Sequence, residues 1–175
     1  MQHPEYGTVL IGGGNKWSSR IPPPFMLEEE AHRNFAFTAF HAEQMPLLRF
    51  QPILIKQMSD GLWMITIEIA NDRRIPTRTV RAERKHIGMP DRLTVDGASM
   101  ITVVSAGPMP QRLGTTFEPV RFNPQELAVE GGITGLSTET FRFIVQGRAG
   151  AAVRVKYSGE KFRDIEESFT LSAKP

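Results

Sequence analysis

The chain has 175 residues, 21 Lys and Arg against 19 Asp and Glu for a formal net charge of +2, and no cysteine. That length suits one ordinary domain with a real core, and the lack of thiols excludes disulfides, thiolate zinc sites and a cysteine nucleophile while leaving the compartment open. The pI near 9.1 reflects a nearly even charge balance, not a nucleic-acid signature; with a mean hydropathy of −0.25, no apolar run is long enough for a helical membrane span.

The first segment runs from His3 to Trp17 and on through Ile21-Pro22-Pro23-Pro24-Phe25. It has no signal-peptide pattern and carries more glycine, proline and aromatic surface than an idle tail, so residues 1–24 read as a connector leaving one domain and entering another. Residues 25–175 then form a helix, about 25–45, followed by a β domain. The proline run starts that helix, Pro46 stops it, and Glu28, Glu29 and Glu30 occupy the first turn, where the helix dipole favours anions. Leu27, Ala31, Phe35, Ala39 and Ala42 recur at helical spacing, with Phe37 and Phe40 beside them, which predicts an apolar face covered by a sheet or a partner domain.

After Pro46 the period falls to 2. Leu47 to Lys56 is a strand candidate, Ser59-Asp60-Gly61 a hairpin turn, and Leu62 to Ala70 a strand with Trp63, Ile65, Ile67 and Ile69 on one face. Further strands are expected around Arg78 to Arg84, Arg92 to Val95, Met100 to Ser105, Thr116 to Phe122, Thr140 to Gln146, Ala151 to Tyr157 and Glu167 to Leu171. Many short strands punctuated by Gly and Pro, without interleaved helices, predict an antiparallel sandwich and argue against an α/β fold.

Candidate chemistry is sparse. His32 and His41 lie nine residues apart, about 13.5 Å along a helix, too far to share one metal ion, and neither His3 nor His86 has an acidic cluster at ligand spacing. Ser18, Ser19, Ser99 and Ser105 sit in no nucleophile elbow. Gly12-Gly13-Gly14 lacks the rest of a phosphate-binding loop, so close backbone approach between domains is the expected use. The basic run Arg78 to His86 reads as an edge strand protected by charge in preference to an anion strip. Trp63, Phe141 and Phe143 at period 2 read as core in preference to a sugar-stacking platform. No catalytic, cofactor-binding or metal residue is assigned.

Three stretches carry a resemblance: HPEYGTVLIGG (3–13), KWxxRIPPPFxLEEExHRNFAFxxFHAEQMP (16–46) and ANDRRIPTRT (70–79). Together they resemble the region after the catalytic domain in large bacterial zinc carboxypeptidases of the carboxypeptidase A type, most strongly over residues 1–77. The resemblance implies an upstream catalytic domain that binds one zinc through two histidines and a glutamate and uses a further glutamate in peptide hydrolysis. None of those motifs lies in this chain. The related proteins often read G-x-V-E-I-G-G where Leu10 stands here, and an alkyl group can take no catalytic role.

By that resemblance the chain is the non-catalytic C-terminal accessory domain of a zinc metallocarboxypeptidase, stabilising or flanking the catalytic domain. Its fold would be mainly β: an antiparallel β-sandwich, immunoglobulin-like or transthyretin-like, with one N-terminal amphipathic helix. The implied partners are its own upstream catalytic domain and the parent's peptide or protein substrate, with no nucleic acid and no membrane span. Zinc is expected in the catalytic domain and no cofactor in this chain. The resemblance is compatible with a periplasmic or secreted parent. The alternative is a β-sandwich binding module for glycan or protein partners, which would present an exposed aromatic platform or apolar patch; a free-standing hydrolase would need a convergent polar pocket, for which no motif speaks.

Overall fold

Three consecutive prolines fix φ near the helical value, and after them a 3-10 turn, Pro24–Met26, runs straight into α1, Leu27–Glu43. The computed structural model describes residues 1–10, 12–13, 21–110, 114 and 116–172, and these divide into two units, Met1–Glu43 and Gln44–Pro175. In the first unit β1, Gln2–His3, pairs antiparallel with β2, Gly7–Thr8. Glu28, Glu29 and Glu30 fill the first turn of α1, and Arg33 pairs with Glu29 one turn on. No residue of α1 is buried. Within its own unit nothing covers the face expected to be enclosed, among the described residues.

The second unit is a sandwich of two antiparallel sheets. One sheet contains β3 (Leu48–Phe50), β4 (Leu54–Ser59), β5 (Leu62–Asn71), β7 (Ile101–Pro108) and β9 (Thr138–Gly147), in the order β3-β5-β9-β7 with β4 also pairing β5. The other contains β6 (Asp91–Asp96), β8 (Glu126–Val129), β10 (Ala152–Ser158) and β11 (Ile165–Thr170), in the order β11-β10-β6-β8. Period-2 alternation delivers the core: Trp63, Ile65, Ile67, Ile69, Phe141, Phe143 and Val145 from the first sheet meet Leu93, Val95, Val153, Val155 and Tyr157 from the second, all buried. The chain is thus mainly β, an antiparallel sandwich preceded by one long helix.

The hairpin at Ser59-Asp60-Gly61 forms as expected, with Ser59 opposite Leu62 and Gly61 at φ +69, a conformation that glycine adopts without steric cost. Elsewhere the strand expectations need correction. Leu47 to Lys56 is two strands, because Pro52 has no N–H to give to a ladder. Arg78 to Arg84 is not an edge strand: α2, Val80–Lys85, occupies it. The Thr79 hydroxyl accepts the Ala82 amide as an N-cap, and His86 ends the turn in the left-handed region at φ 50, ψ 45. Thr116 to Phe122 forms no strand, although Glu118 and Val120 donate backbone hydrogen bonds to Pro108 and Ala106 at 3.0 and 2.9 Å. The strands β1, β2 and β8 were not anticipated.

Candidate functional site

The stretch from Ala70 to Thr79 leaves β5 and enters α2, and its polar side chains turn inward. Asn71 is buried; its Oδ1 accepts the Leu47 and Arg73 amides at 3.3 and 3.1 Å, and its Nδ2 donates to the Ile75 carbonyl at 2.9 Å. This one amide side chain fixes the loop. Six residues on, the Thr77 hydroxyl accepts the Ile133 amide at 2.7 Å and donates to Oδ2 of Asp91. Tyr157 donates its hydroxyl to the same carboxylate oxygen at 2.9 Å, and its ring stacks on Phe162 with centroids 5.3 Å apart. Thr77, Asp91 and Tyr157 are all buried, so the loop, β6 and β10 meet at one hydrogen-bonded point.

Arg78 lies beside this point and is only 5% exposed. It reaches Glu130 at 3.3 Å and donates to the carbonyls of Ala82 and Ile87 at 3.4 and 3.3 Å, while its Nε has no partner among the described residues. Burial pushes the Asp91 carboxyl above its usual range; the hydrogen bonds from Thr77 and Tyr157 and the Arg78 charge pull the other way, and Glu160 reinforces the rise. Burial also raises the Tyr157 phenol well above its ordinary value, with the Asp91 charge adding to it. The phenol is therefore a permanent donor at neutral pH.

The chemistry available here is that of a clamp. Both hydroxyls that reach Asp91 spend their proton on it, and the adjoining cavity of about 70 Å³, lined by Thr77, Arg78, Ala82, Ile87, Met89 and Asp91 among others, has room for about two waters. Among the described residues the space beside the carboxylate is too small for a substrate.

The residues singled out from sequence are dispersed. His3 is exposed and accepts the Glu5 amide at 3.2 Å; His32 and His41 are exposed on α1, with His41 edge-on to Phe37 at 6.0 Å; His86 is the exposed cap of α2. Among the described residues no group of three or more His, Cys, Asp or Glu is placed to hold a metal ion. Ser99 lies in the β6–β7 turn and Ser105 in β7. Gly14, Trp17, Ser18 and Ser19 lie outside the described residues. Among the described residues nothing stands within 4 Å of where a Cβ would sit on Gly12 or Gly13, and Leu10 is fully exposed. Trp63, Phe141 and Phe143 are buried, with the Trp63 Nε1–H donated to the Gly147 carbonyl at 2.9 Å. Those three rings are core. No helix is long and apolar enough to cross a membrane among the described residues.

The fold is a β-sandwich domain in which Asn71, Thr77, Asp91 and Tyr157 tie loop and strands together. Residues 47–170, the sandwich itself, match the family described as Domain of unknown function (DUF8731), and the chain belongs to that family. No curated protein matches the chain. Among solved structures the chain is similar to the yeast GGA1 GAE domain (domain-P21), at 13% identity and a TM-score of 0.27, over 74% of this chain and 99% of that one.

Proposed function

We propose that this chain is a non-catalytic accessory domain: the sandwich is a stable body, and the segment before it is the seam to a neighbouring domain. The observation that carries the reading is α1. None of its 17 residues is buried, and Phe25, Phe35, Phe37 and Phe40 are 85%, 71%, 68% and 53% exposed. With aromatic side chains of roughly 200 Å² each, those four rings, Phe25 in the 3-10 turn and three on the helix, leave on the order of 500 Å² of apolar surface in water, divided among more than one side. At 100° per residue Phe35 lies on one side of the helix, with Ala31 and Ala39, while Phe37 and Phe40 lie on the other. A helix apolar on two sides is built to be enclosed.

The resemblance of residues 3–13, 16–46 and 70–79 supplies the neighbour: a zinc carboxypeptidase catalytic domain of the carboxypeptidase A type, which would bind the zinc and perform the hydrolysis. The test is to mix this chain with such a domain from the same genome and measure complex formation by sedimentation. A stoichiometric complex weakened at least about tenfold by Phe35→Asp or Phe40→Asp is expected, since each places a charge in an apolar contact. A genome without such a domain, or no complex at micromolar concentrations, contradicts the proposal.

A further inference from the structure

The opposite end of the sandwich from Asp91 holds an open cavity of about 740 Å³, within the size range of small-molecule sites. It lies where three connections converge: the β4–β5 turn at Gly61, the β6–β7 crossover at Ser99 and Met100, and the β9–β10 crossover at Arg148 to Gly150. Both crossovers pass from one sheet to the other, so the cavity caps the seam between the sheets.

Its walls are held in place from behind. The Gly147 carbonyl accepts Trp63 Nε1–H at 2.9 Å, the Gly147 amide donates to the Gly61 carbonyl at 2.9 Å, and the Gly150 amide donates to the Leu171 carbonyl at 2.8 Å. Gly147 itself is packed shut: a Cβ there would stand 2.9 Å from Ile101 Cγ2 and 3.0 Å from Leu171 Cδ1. The floor is thus fixed to core residues, and a ligand would meet a shape that needs little ordering on binding.

The lining divides by chemistry. Met100, Ile101 and Ala149 present alkyl surface, Thr102 and Gln146 present polar groups, and Arg148 is the one charged residue on the wall among the described residues. Among the described residues no acidic residue lines the cavity and Arg148 forms no ion pair. A guanidinium with no carboxylate partner among the described residues, beside alkyl walls, matches an anion that carries a short apolar body.

We propose that this cavity is a binding site for a small carboxylate with a short apolar body, its carboxylate held by Arg148 and its body lying on Met100 and Ile101. The proposal is independent of the accessory role. Two sources supply this chemistry, an alkanoate and the C-terminus of a peptide, and two probes separate them. Amide NMR shifts of the full chain are followed while hexanoate or N-acetyl-alanyl-alanine is added, each against its neutral amide. Saturable shifts centred on Met100, Ile101, Gly147 and Gly150 are expected for at least one acid, with its amide at least about tenfold weaker, as loss of a charge-assisted contact requires. Arg148→Gln should weaken that binding by a similar factor with the rest of the spectrum unchanged, while Arg154→Gln, which removes the same charge from the β10 surface, should not. Hexanoate alone, the peptide alone, or both binding identifies the source. The proposal is overturned if neither acid saturates, if acid and amide bind equally, or if Arg154→Gln weakens binding as much as Arg148→Gln.

Discussion

Asp91 accepts two hydroxyl protons on one carboxylate oxygen while buried between β6, β10 and the loop that carries Thr77. Removing one donor leaves the other in place, so Tyr157→Phe should cost about 1 kcal/mol, whereas Asp91→Ala strands two buried hydroxyls at once and should cost about 3 kcal/mol; urea melts give both values. Losses of equal size would mean that the carboxylate is not the centre of the cluster. The pH dependence has a definite sign. Burial raises the folded Asp91 pKa above its unfolded value, so the stability linked to its proton is fully present below the unfolded carboxylate pKa and is lost as pH rises through the folded value. The wild-type chain should therefore gain stability relative to Asp91→Asn as pH is lowered from 7 toward the ordinary aspartate range. A loss of wild-type stability relative to Asp91→Asn on acidification would contradict the raised pKa.

Among the elements, β5 was the most legible. Four large apolar residues at strict period 2 cannot serve a helix, and Trp63, Ile65, Ile67 and Ile69 are all in the core. Ile67→Ala should accordingly cost about 2 to 5 kcal/mol, while Arg154→Ala should cost under about 0.5 kcal/mol despite ion pairs to Asp96 and Glu166 at 3.9 and 3.6 Å, because the arginine is 57% exposed and water screens both pairs. Comparable losses would mean that the strand faces are reversed. The run Arg78 to His86 misled because its charges drew attention away from its caps. Thr79 three residues before Ala82, with Glu83 in the first turn and Arg84 and Lys85 in the last, is a helix pattern legible in the sequence. Thr79→Ala should cost about 1 kcal/mol, measurable in the same melts. β8 escaped notice for another reason: of its four residues only Leu127 is buried, too few to show a period. The clamp was hidden more deeply. Thr77, Asp91 and Tyr157 are 14 and 66 residues apart in pairs, and only the folded sheets bring them together.

For the whole molecule, the sandwich and the N-terminal unit differ in how they meet water. The sandwich buries the inward-facing rows of β5, β6, β9 and β10, though Leu54, Met58, Val104 and Phe122 stay exposed; no residue of α1 is buried. This contrast supports the proposal of a neighbouring domain over the helix. Hydrogen exchange tests that assignment most directly, because each amide of Leu27–Glu43 reports its own opening. Measured on this chain alone and on the chain joined to a carboxypeptidase A-type catalytic domain from the same genome, protection across α1 should rise at least about tenfold in the joined protein while that of β5 and β9 stays unchanged. Equal protection of α1 in both, with the joined protein folded and monomeric, would contradict the account and leave the helix without the cover proposed for it.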